Sequence, residues 1–483
     1  MRVLRTTRLL VTTVAGVSAA MTTAGPPSWS SVRAAAGPPA PRLFDATERL
    51  FGAAAPELIF WRDSAGWCPF CCMTWLLLEE MRVPYRMRTV PLRRYLLEGE
   101  VKDPEYTRQV GPAGVVPGVQ FRDGGDEFQP AINSFRRIFD ELEQRYPDSF
   151  PSSRHSARHE AAVGGAPNTS IFDRLQVARR AYEACAGASG FEPLPQAAPG
   201  LRPALADLDA MLAASGGPYL DGARLTVGDL MLLPFLERTE ACVPYFFGEE
   251  ALAALPFARA RALLVAARQP RASAFGALCS DATTLGRTNL RYAMPGGATP
   301  QLRVDAHAAG LIDGSVARVR DHWATSCGAA ARRDAAARLA ARPAAVVAFA
   351  SRCAATFAGD EAPADVEGSS SAAALDAAMR SVAALLLLDL ESRDPAGPDG
   401  GAAAGLARLH AVAGRAAHTL RIEHGAEASR AAAAALVGLA ENVGVPRDME
   451  VQPARALRSH ARLMAEALEE ATDDLARDRV RVQ

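Results

Sequence analysis

The sequence is short of lysine and of net charge. The 483-residue chain has 53 basic residues, but Lys102 is its only lysine, and the formal net charge is −1. A nearly neutral chain offers no electrostatic argument for binding nucleic acid or an anionic membrane surface, so we predict neither partner. Any chemistry that needs a lysine has a single candidate.

Long apolar runs are also missing. No stretch approaches the roughly 18 consecutive apolar residues that a membrane-spanning helix needs. The most apolar segment, Ala383–Leu388, is short and is typical of a buried helix. We therefore expect no membrane span in the mature chain.

Acidic residues are absent from the first 44 positions. This segment has five arginines, an apolar run from Leu9 to Met21 and a Ser/Pro/Arg-rich stretch from Pro26 to Arg42. Such composition is typical of organelle targeting. We predict that residues 1–44 are a signal- or transit-peptide-like targeting segment, with a plastid as the favoured destination and a mitochondrion second. The alternative is a disordered terminus of biased composition.

Cysteine is sparse for a chain of this length. Eight cysteines do not make a disulfide scaffold, and five of them are scattered in segments that favour buried, inert thiols. No second Cys or His pair stands at a spacing suited to zinc, so we predict no metal site. The three clustered cysteines are Cys68, Cys71 and Cys72.

The cysteine cluster lies where a strand gives way to a helix. An apolar run, Leu58–Trp61, precedes Cys68-Pro69-Phe70-Cys71, and a helical pattern follows from Met73 to Met81. Unpaired N–H groups at a helix N-terminus stabilise a thiolate, which makes Cys68 the candidate nucleophile. Cys71 lies one turn further on the same face and could resolve a mixed disulfide.

The segments that follow predict a small α/β domain. Tyr85–Val90 alternates as a strand does, Tyr95–Gln109 is predicted to be helical, and Gly118–Phe121 is a second strand pattern. A turn at 123–126 leads to a returning strand at 127–129. A helix is predicted from Asn133 to Pro147. The predicted order is β-α-β-α-β-β-α.

Three pieces of this order resemble the glutathione S-transferase superfamily. They are the Cys68-Pro69-Phe70-Cys71 motif, Val116-Pro117 before a strand, and the helix that starts at Asn133. The first is similar to the active site of the omega-class and glutaredoxin-like branch, and the second to the family's cis-proline. The resemblance implies an α/β thioredoxin-like N-terminal domain that binds glutathione as a cosubstrate.

The resemblance also implies site residues. Cys68 would be catalytic, with Cys71 as a resolving thiol. The glutathione-binding residues would be Phe70, Val116, Pro117, Asn133 and Ser134. The family's Glu-Ser pair for the γ-glutamyl group is absent here. Asn133-Ser134, Ser134-Phe135 or Gln129-Pro130 occupies its place, depending on register, and loss of the acid weakens the hold on the α-amine.

The remainder of the chain predicts helices. A motif from Gly217 to Asp229, in which Thr226 and Asp229 form a capping-box pattern, is similar to the folding motif of the family's helical domain. We predict a targeting segment at 1–44, a thioredoxin-like domain at 45–150, an all-α transferase C-terminal-like domain at 165–285, and an Ala-rich all-α extension at 286–483.

The resemblance implies a glutathione-dependent thiol transferase or reductase. Cys68 would form a mixed disulfide, with deglutathionylation or dehydroascorbate-type reduction as the reaction, and the partners would be glutathione and a small electrophile or disulfide. Conjugation of glutathione to electrophiles is one alternative. A non-catalytic redox-sensing or scaffold protein is another. The resemblance also allows a homodimer.

Overall fold

The computed structural model divides the chain into two compact units. It describes residues 25–91, 104–110, 114–151, 157–164, 169–186, 193–293, 314–358, 370–388 and 400–482, except for residues 124, 126 and 270. It also describes the single residues 312 and 390. The sheet unit comprises Arg42–Ile312 and Val445–Arg447. The helical unit comprises Met1–Pro41, Asp313–Gly444 and Asp448–Gln483.

Helix α1 (Trp29–Ala36) lies inside the segment that the sequence predicts to be a targeting peptide. Val32 and Ala35 are fully buried within the helical unit. The indole N–H of Trp29 donates to Asp376 at 2.8 Å. The end of the predicted segment is therefore folded structure, because an amphipathic stretch with buried alanines packs as a helix whatever its arginine content. Residues 1–24 lie outside the described residues.

A four-stranded mixed sheet forms the base of the sheet unit. Its strands are β1 (Glu48–Arg49), β2 (Leu58–Asp63), β3 (Tyr85–Val90) and β4 (Gly118–Phe121). They lie in the order β1-β3-β2-β4, with β2 parallel to β3 and the other neighbours antiparallel. All six residues of β2 are buried. A central strand that is buried on both faces therefore leads directly to residues 64–68, the turn that carries Cys68, which we call the cysteine turn.

Helix α2 (Pro69–Met81) begins at the cysteine turn. Cys68 is its N-cap residue, and Pro69 occupies the first turn, where a missing N–H costs nothing. Leu76, Leu77 and Leu78 are fully buried. The helix ends at Met81, and its C-cap residue Arg82 adopts a left-handed conformation with φ of 55°. The predicted strand–turn–helix passage is confirmed.

Two parts of the predicted order differ from the structure. The returning strand at 127–129 is reduced to one bridge between Arg122 and Phe128, because Pro130 has no N–H with which to extend a ladder. Strand β1 is only two residues long and was not predicted. Of the predicted helix Tyr95–Gln109, the structure describes helix α3 (Pro104–Val110), and residues 92–103 lie outside the described part.

Helices cover the sheet and complete the sheet unit. They are α4 (Phe135–Arg145), α5 (Ala157–Val163), α6 (Ile171–Ala186), α7 (Leu194–Ala197), α8 (Leu201–Ser215), α9 (Val227–Phe247), α10 (Glu249–Ala253), α11 (Ala258–Ala267), α12 (Phe275–Leu278) and α13 (Ala282–Ala293).

The capping box predicted at Thr226 and Asp229 starts helix α9. One oxygen of the Asp229 carboxylate accepts from the Thr226 backbone N–H at 2.9 Å, and the other accepts from the Leu220 N–H at 2.9 Å. Burial raises the pKa of Asp229 to about 6, although these hydrogen bonds oppose the shift. The carboxylate therefore joins the preceding loop to the helix and has a structural role, as predicted.

The helical unit is built from long helices. After α1 they are α14 (Ala317–Ser326), α15 (Ala329–Ala341), α16 (Pro343–Ala358), α17 (Ser370–Leu386), α18 (Gly400–His424), α19 (Ala426–Asn442) and α20 (Val451–Val482). Helix α20 packs against α14, α15, α17, α18 and α19. The all-α character predicted for the extension is confirmed. Among the described residues, no helix is both long and apolar enough to cross a bilayer.

Candidate active site

The thiol of Cys68 lies at the N-terminus of helix α2. Its sulfur accepts a hydrogen bond from the backbone N–H of Cys71, with 3.4 Å between N and Sγ. It also lies 3.9 Å from the carbonyl oxygen of Val116. Cys68 is half-buried, so the sulfur is both accessible and held by backbone groups. This is the placement that the motif predicts for a nucleophile.

The two neighbouring cysteines are held as neutral thiols. Cys71 is 2% exposed and Cys72 is 9% exposed. Burial is the largest cause that raises the pKa of each thiol well above its ordinary value. For Cys71, the hydrogen bond and charge of Cys68 add to this effect, and for Cys72 the charge of Glu237 does. Cys68 is therefore the accessible thiol of this cluster, whereas the other two are shielded.

A buried carboxylate, Asp63, lies beneath the cysteine turn. Asp63 ends strand β2 and is fully buried. Its Oδ2 accepts from the backbone N–H of Trp67 at 2.7 Å, while its Oδ1 accepts no hydrogen bond from the described residues. One carboxylate oxygen and the sulfurs of Cys68 and Cys71 lie within 4.8 Å of one another. Burial raises the pKa of Asp63, and the charge of Arg62 opposes this shift.

The guanidinium of Arg62 accompanies that carboxylate. Its Nη1 donates to the backbone carbonyl of Asp63 at 2.6 Å, and its Nη2 donates to the carbonyl of Phe44 at 3.2 Å. The guanidinium carbon lies 4.2 Å from the ring centroid of Phe44 and 4.4 Å from that of Trp75. A buried guanidinium and a buried carboxyl group therefore belong to adjacent residues at the end of β2, and the charge of each opposes the effect of burial on the pKa of the other.

Both backbone polar groups of Trp67, the residue before Cys68, are hydrogen-bonded to buried side chains. Its backbone N–H is bound by Asp63, and its backbone carbonyl accepts from Arg238 Nη2. Arg238 belongs to helix α9, is 2% exposed, and also donates to the carbonyl of Pro234 at 2.6 Å. The residue that precedes Cys68 is thus held by a carboxylate from the sheet and a guanidinium from the helical layer.

The indole of Trp67 contacts a segment distant in sequence. Its N–H donates to the carbonyl of Val445 at 3.1 Å, and the guanidinium carbon of Arg447 lies 5.1 Å from the ring centroid. Val445 is fixed in turn, because its carbonyl also accepts from Ser280 Oγ and its N–H donates to Thr284 Oγ1 at 3.1 Å. Residues Val445–Arg447 are therefore part of the wall behind the turn.

The Val116-Pro117 loop lies beside Cys68. Its peptide bond is cis, in agreement with the expectation from the sequence. Tyr106, which is fully buried, donates from its hydroxyl to the carbonyl of Val115 at 2.5 Å. The loop leads directly into strand β4 at Gly118, where an added Cβ would lie 2.6 Å from the Tyr106 hydroxyl oxygen. The backbone of Val116 is thus fixed next to the thiol.

Asn133 and Ser134 lie at the start of helix α4. Both are partly exposed, and Ser134 is the N-cap residue, but its side chain makes no capping hydrogen bond. The ring of Phe135 lies 5.3 Å from that of Phe70 in helix α2, and Phe70 lies 5.8 Å from Phe235. These ring contacts bring the N-terminus of α4 towards the N-terminus of α2.

Sequence reasoning missed Asp63 and Arg238. Four apolar residues precede the charged pair Arg62-Asp63. Charged residues are rarely buried, so a charged pair at the end of a buried strand is a sequence signal from which Asp63 could have been identified. Arg238 offers no comparable signal, because it stands next to Glu237 in an ordinary helical pattern and reaches the turn only through the fold.

We expect iodoacetamide to modify Cys68 at least about tenfold faster than Cys71 or Cys72 in the reduced, native full-length protein near neutral pH. The reason is that the sulfur of Cys68 is accessible, whereas burial keeps the other two as thiols. Peptide mass spectrometry over a time course measures the three rates.

The unfolded protein provides the control, since all three cysteines should then react at similar rates. Faster modification of Cys71 or Cys72 in the native protein would contradict this arrangement of the turn.

Two segments of the chain match known domain families. Residues 67–145 match the glutathione S-transferase N-terminal domain, and residues 180–263 match the glutathione S-transferase C-terminal domain.

Two plant proteins are similar in sequence. One is a probable cytosolic glutathione S-transferase, DHAR1, of Oryza sativa subsp. japonica, which is 25% identical over 186 residues, or 38% of this chain and 73% of the relative. The other is the chloroplastic glutathione S-transferase DHAR3 of Arabidopsis thaliana, which is 25% identical over 202 residues, or 41% of this chain and 64% of the relative.

Solved structures with some likeness include a glutathione transferase Omega 3C from Trametes versicolor and a dehydroascorbate reductase from Chlamydomonas reinhardtii. The first is 20% identical with a TM-score of 0.31, and it covers 44% of this chain and 86% of its own. The second is 19% identical with a TM-score of 0.30, and it covers 43% of this chain and 91% of its own.

The sequence matches fall on the segments that hold the site. The N-terminal match includes Cys68, Val116 and Ser134, and the C-terminal match includes Arg238. Two segments of the chain are therefore similar to the two domains of glutathione S-transferases, one that includes the cysteine turn and helix α2 and one in the helices that follow.

Proposed function

We propose that this protein is a glutathione-dependent thiol transferase or reductase that acts through a mixed disulfide on Cys68. The observation that carries this proposal is the position of the Cys68 sulfur. It is accessible, lies at the N-terminus of helix α2, and is 3.9 Å from the carbonyl of Val116. The two plant relatives, both named as glutathione S-transferases, support the same class of activity.

Glutathione would lie between the N-termini of helices α2 and α4. The backbone of Val116, before Pro117, would pair with its cysteinyl part, beside the Cys68 sulfur. The hydroxyl of Ser134 and the N–H groups that open α4 would bind its γ-glutamyl carboxylate, with Asn133 alongside. The absence of a side-chain cap at Ser134 supports this role, because the hydroxyl makes no hydrogen bond to its own helix. Phe70 would complete the apolar side.

The reaction that fits this geometry is thiol–disulfide exchange. The Cys68 thiolate attacks the glutathione sulfur of a mixed disulfide, the substrate sulfur leaves and takes up a proton, and Cys68 becomes bonded to glutathione. A second glutathione thiolate then attacks that sulfur, and oxidised glutathione leaves as the Cys68 thiolate is restored. Reduction of dehydroascorbate would enter this cycle through a different first step. The Cys68 thiolate would add to a carbonyl carbon, and a first glutathione thiolate would then attack the Cys68 sulfur, so that ascorbate leaves with the electron pair of the broken carbon–sulfur bond and takes up protons. The resulting Cys68–glutathione disulfide would be resolved by a second glutathione as above, so two glutathione molecules would supply the two electrons.

Glutathione, and not Cys71, would be the resolving thiol. Attack needs a thiolate, and Cys71 is buried with a pKa raised well above its ordinary value. Glutathione from solvent can reach the half-exposed Cys68 directly. Cys71 would then act as a neutral hydrogen-bonding neighbour in the catalytic cycle.

We expect Cys68→Ser to lower activity by about 100-fold or more, because the hydroxyl cannot form the mixed disulfide. Cys71→Ser should keep activity to within about threefold, since solution glutathione resolves the intermediate. Reduction of a glutathione mixed disulfide and of dehydroascorbate, assayed with glutathione as the electron donor, measures both effects. Cys72→Ser is the matched control.

Unchanged activity in Cys68→Ser would refute the assignment. Activity with a chlorinated aromatic compound, but with neither disulfide nor dehydroascorbate, would select conjugation instead. A wild-type protein that binds no glutathione and reduces no substrate would point to a scaffold.

We expect Ser134→Ala to weaken glutathione binding by on the order of tenfold, because a hydrogen bond to a carboxylate contributes about 1.5–3 kcal/mol. Calorimetry with the full chain measures the affinity. The alkylation rate of Cys68 should stay the same, which separates loss of a ligand contact from damage to the turn. Equal affinities would show that the γ-glutamyl group lies elsewhere.

We also propose that the N-terminal residues direct the chain to a plastid. Their acid-free, arginine-containing composition supports this, as does the name of the chloroplastic relative. Because α1 is packed from Trp29 onward, cleavage would precede this helix.

A fusion of the full chain to a fluorescent protein in a plastid-containing cell tests the destination, and N-terminal sequencing of the mature form locates the cleavage. Mitochondrial fluorescence, or a mature terminus inside α1, would contradict the proposal.

A further inference from the structure

We propose that Asp63, Cys68 and Cys71 form a binding site for one thiophilic divalent cation, Zn²⁺ or Cd²⁺. One carboxylate oxygen and the two sulfurs lie within 4.8 Å of one another. Such a donor set converges from two elements, since Asp63 ends strand β2 while the cysteines open helix α2. Cation binding and thiol exchange would share the Cys68 sulfur and so compete for it.

The carboxylate supplies an unused donor. Asp63 is fully buried, and its Oδ2 is bound to the Trp67 N–H, yet its Oδ1 accepts no hydrogen bond from the described residues. A buried carboxylate oxygen without a partner is costly, and nearly all buried polar atoms in folded proteins have one. A cation bonded to this oxygen would remove that cost.

The type of donor selects the type of cation. Two thiolates and one carboxylate suit borderline or soft ions and disfavour Mg²⁺ and Ca²⁺, which prefer oxygen alone. Zn–S bonds of about 2.3 Å and Zn–O bonds of about 2.0–2.2 Å require the donors to approach one another by about 1 Å. Side-chain rotation of the half-exposed Cys68 can supply much of this movement.

Charge balance favours a divalent ion. Two thiolates and a carboxylate carry three negative charges, and the guanidinium of Arg62, which donates to the Asp63 backbone carbonyl at 2.6 Å, supplies one positive charge. A divalent cation neutralises the remaining two. Each thiol releases its proton to solvent as its sulfur–metal bond forms.

The site would have one open coordination position. Three protein ligands leave the fourth tetrahedral position for water or a small thiol. Asp63 and Cys71 are buried, so access is through Cys68, the half-exposed member. A sulfur bonded to the cation cannot attack a disulfide, so the cation would block Cys68 reversibly.

Titration of the reduced, metal-free full chain with Cd²⁺ tests the site through the ultraviolet thiolate-to-cadmium charge-transfer band. We expect one Cd²⁺ per chain, displacement by Zn²⁺, and protection of Cys68 against iodoacetamide. Asp63→Asn and Cys71→Ser should each weaken binding by on the order of tenfold or more. Cys72→Ser, one residue along the same helix, should bind as the wild type does.

Circular dichroism and thermal unfolding establish that each variant is folded. Should Asp63→Asn not fold, the comparison of Cys71→Ser with Cys72→Ser decides the question alone. Absence of the charge-transfer band in the wild type, or equal affinities in Cys71→Ser and Cys72→Ser, would overturn the proposal. Because the readout needs no glutathione, it is independent of the catalytic assays.

Discussion

The two hydrogen bonds to the backbone of Trp67 are the constraint on which the cysteine turn depends. Asp63 holds the N–H and Arg238 holds the carbonyl, and both groups are buried. The next residue, Cys68, therefore begins helix α2 in a fixed orientation, with its sulfur towards Val116. One bond comes from the sheet and the other from helix α9, so the geometry of the thiol requires both domains of the transferase fold.

The same region concentrates charge that a small core would normally exclude. Arg62 and Asp63 are adjacent on the central strand, and burial lowers the pKa of the guanidinium and raises that of the carboxylate. Removing one member of a buried pair leaves the other uncompensated, which is typically more destabilising than the pair itself is stabilising. Aromatic rings at Phe44 and Trp75 hold the guanidinium in place. The cysteine turn is therefore held by buried charged groups, and the apolar side chains pack around these groups.

The sequence predicts the local elements well and the convergence of distant residues poorly. The strand–turn–helix at Cys68 and the capping box at Thr226 follow from short-range rules, since caps, proline and apolar spacing act within a few residues. The prediction of a returning strand at 127–129 was wrong, because Pro130 has no N–H with which to extend the pairing beyond one bridge. Arg238 was not found, because a side chain that acts across the fold leaves no periodic trace. Asp63 was missed although the charged pair Arg62-Asp63 after a buried apolar run is a local signal. The N-terminal segment has the composition of a targeting peptide, although part of it, from Trp29, is a packed helix.

The contact between Trp67 and Val445 has a consequence for synthesis. The indole N–H and its acceptor are 378 residues apart in the chain. During vectorial translation the first part of the sheet unit emerges from the ribosome long before Val445 does. Until then, the wall behind the cysteine turn lacks one of its segments, and the indole must hydrogen-bond to water. The cysteine turn therefore acquires its final surroundings only when nearly the whole polypeptide has been made.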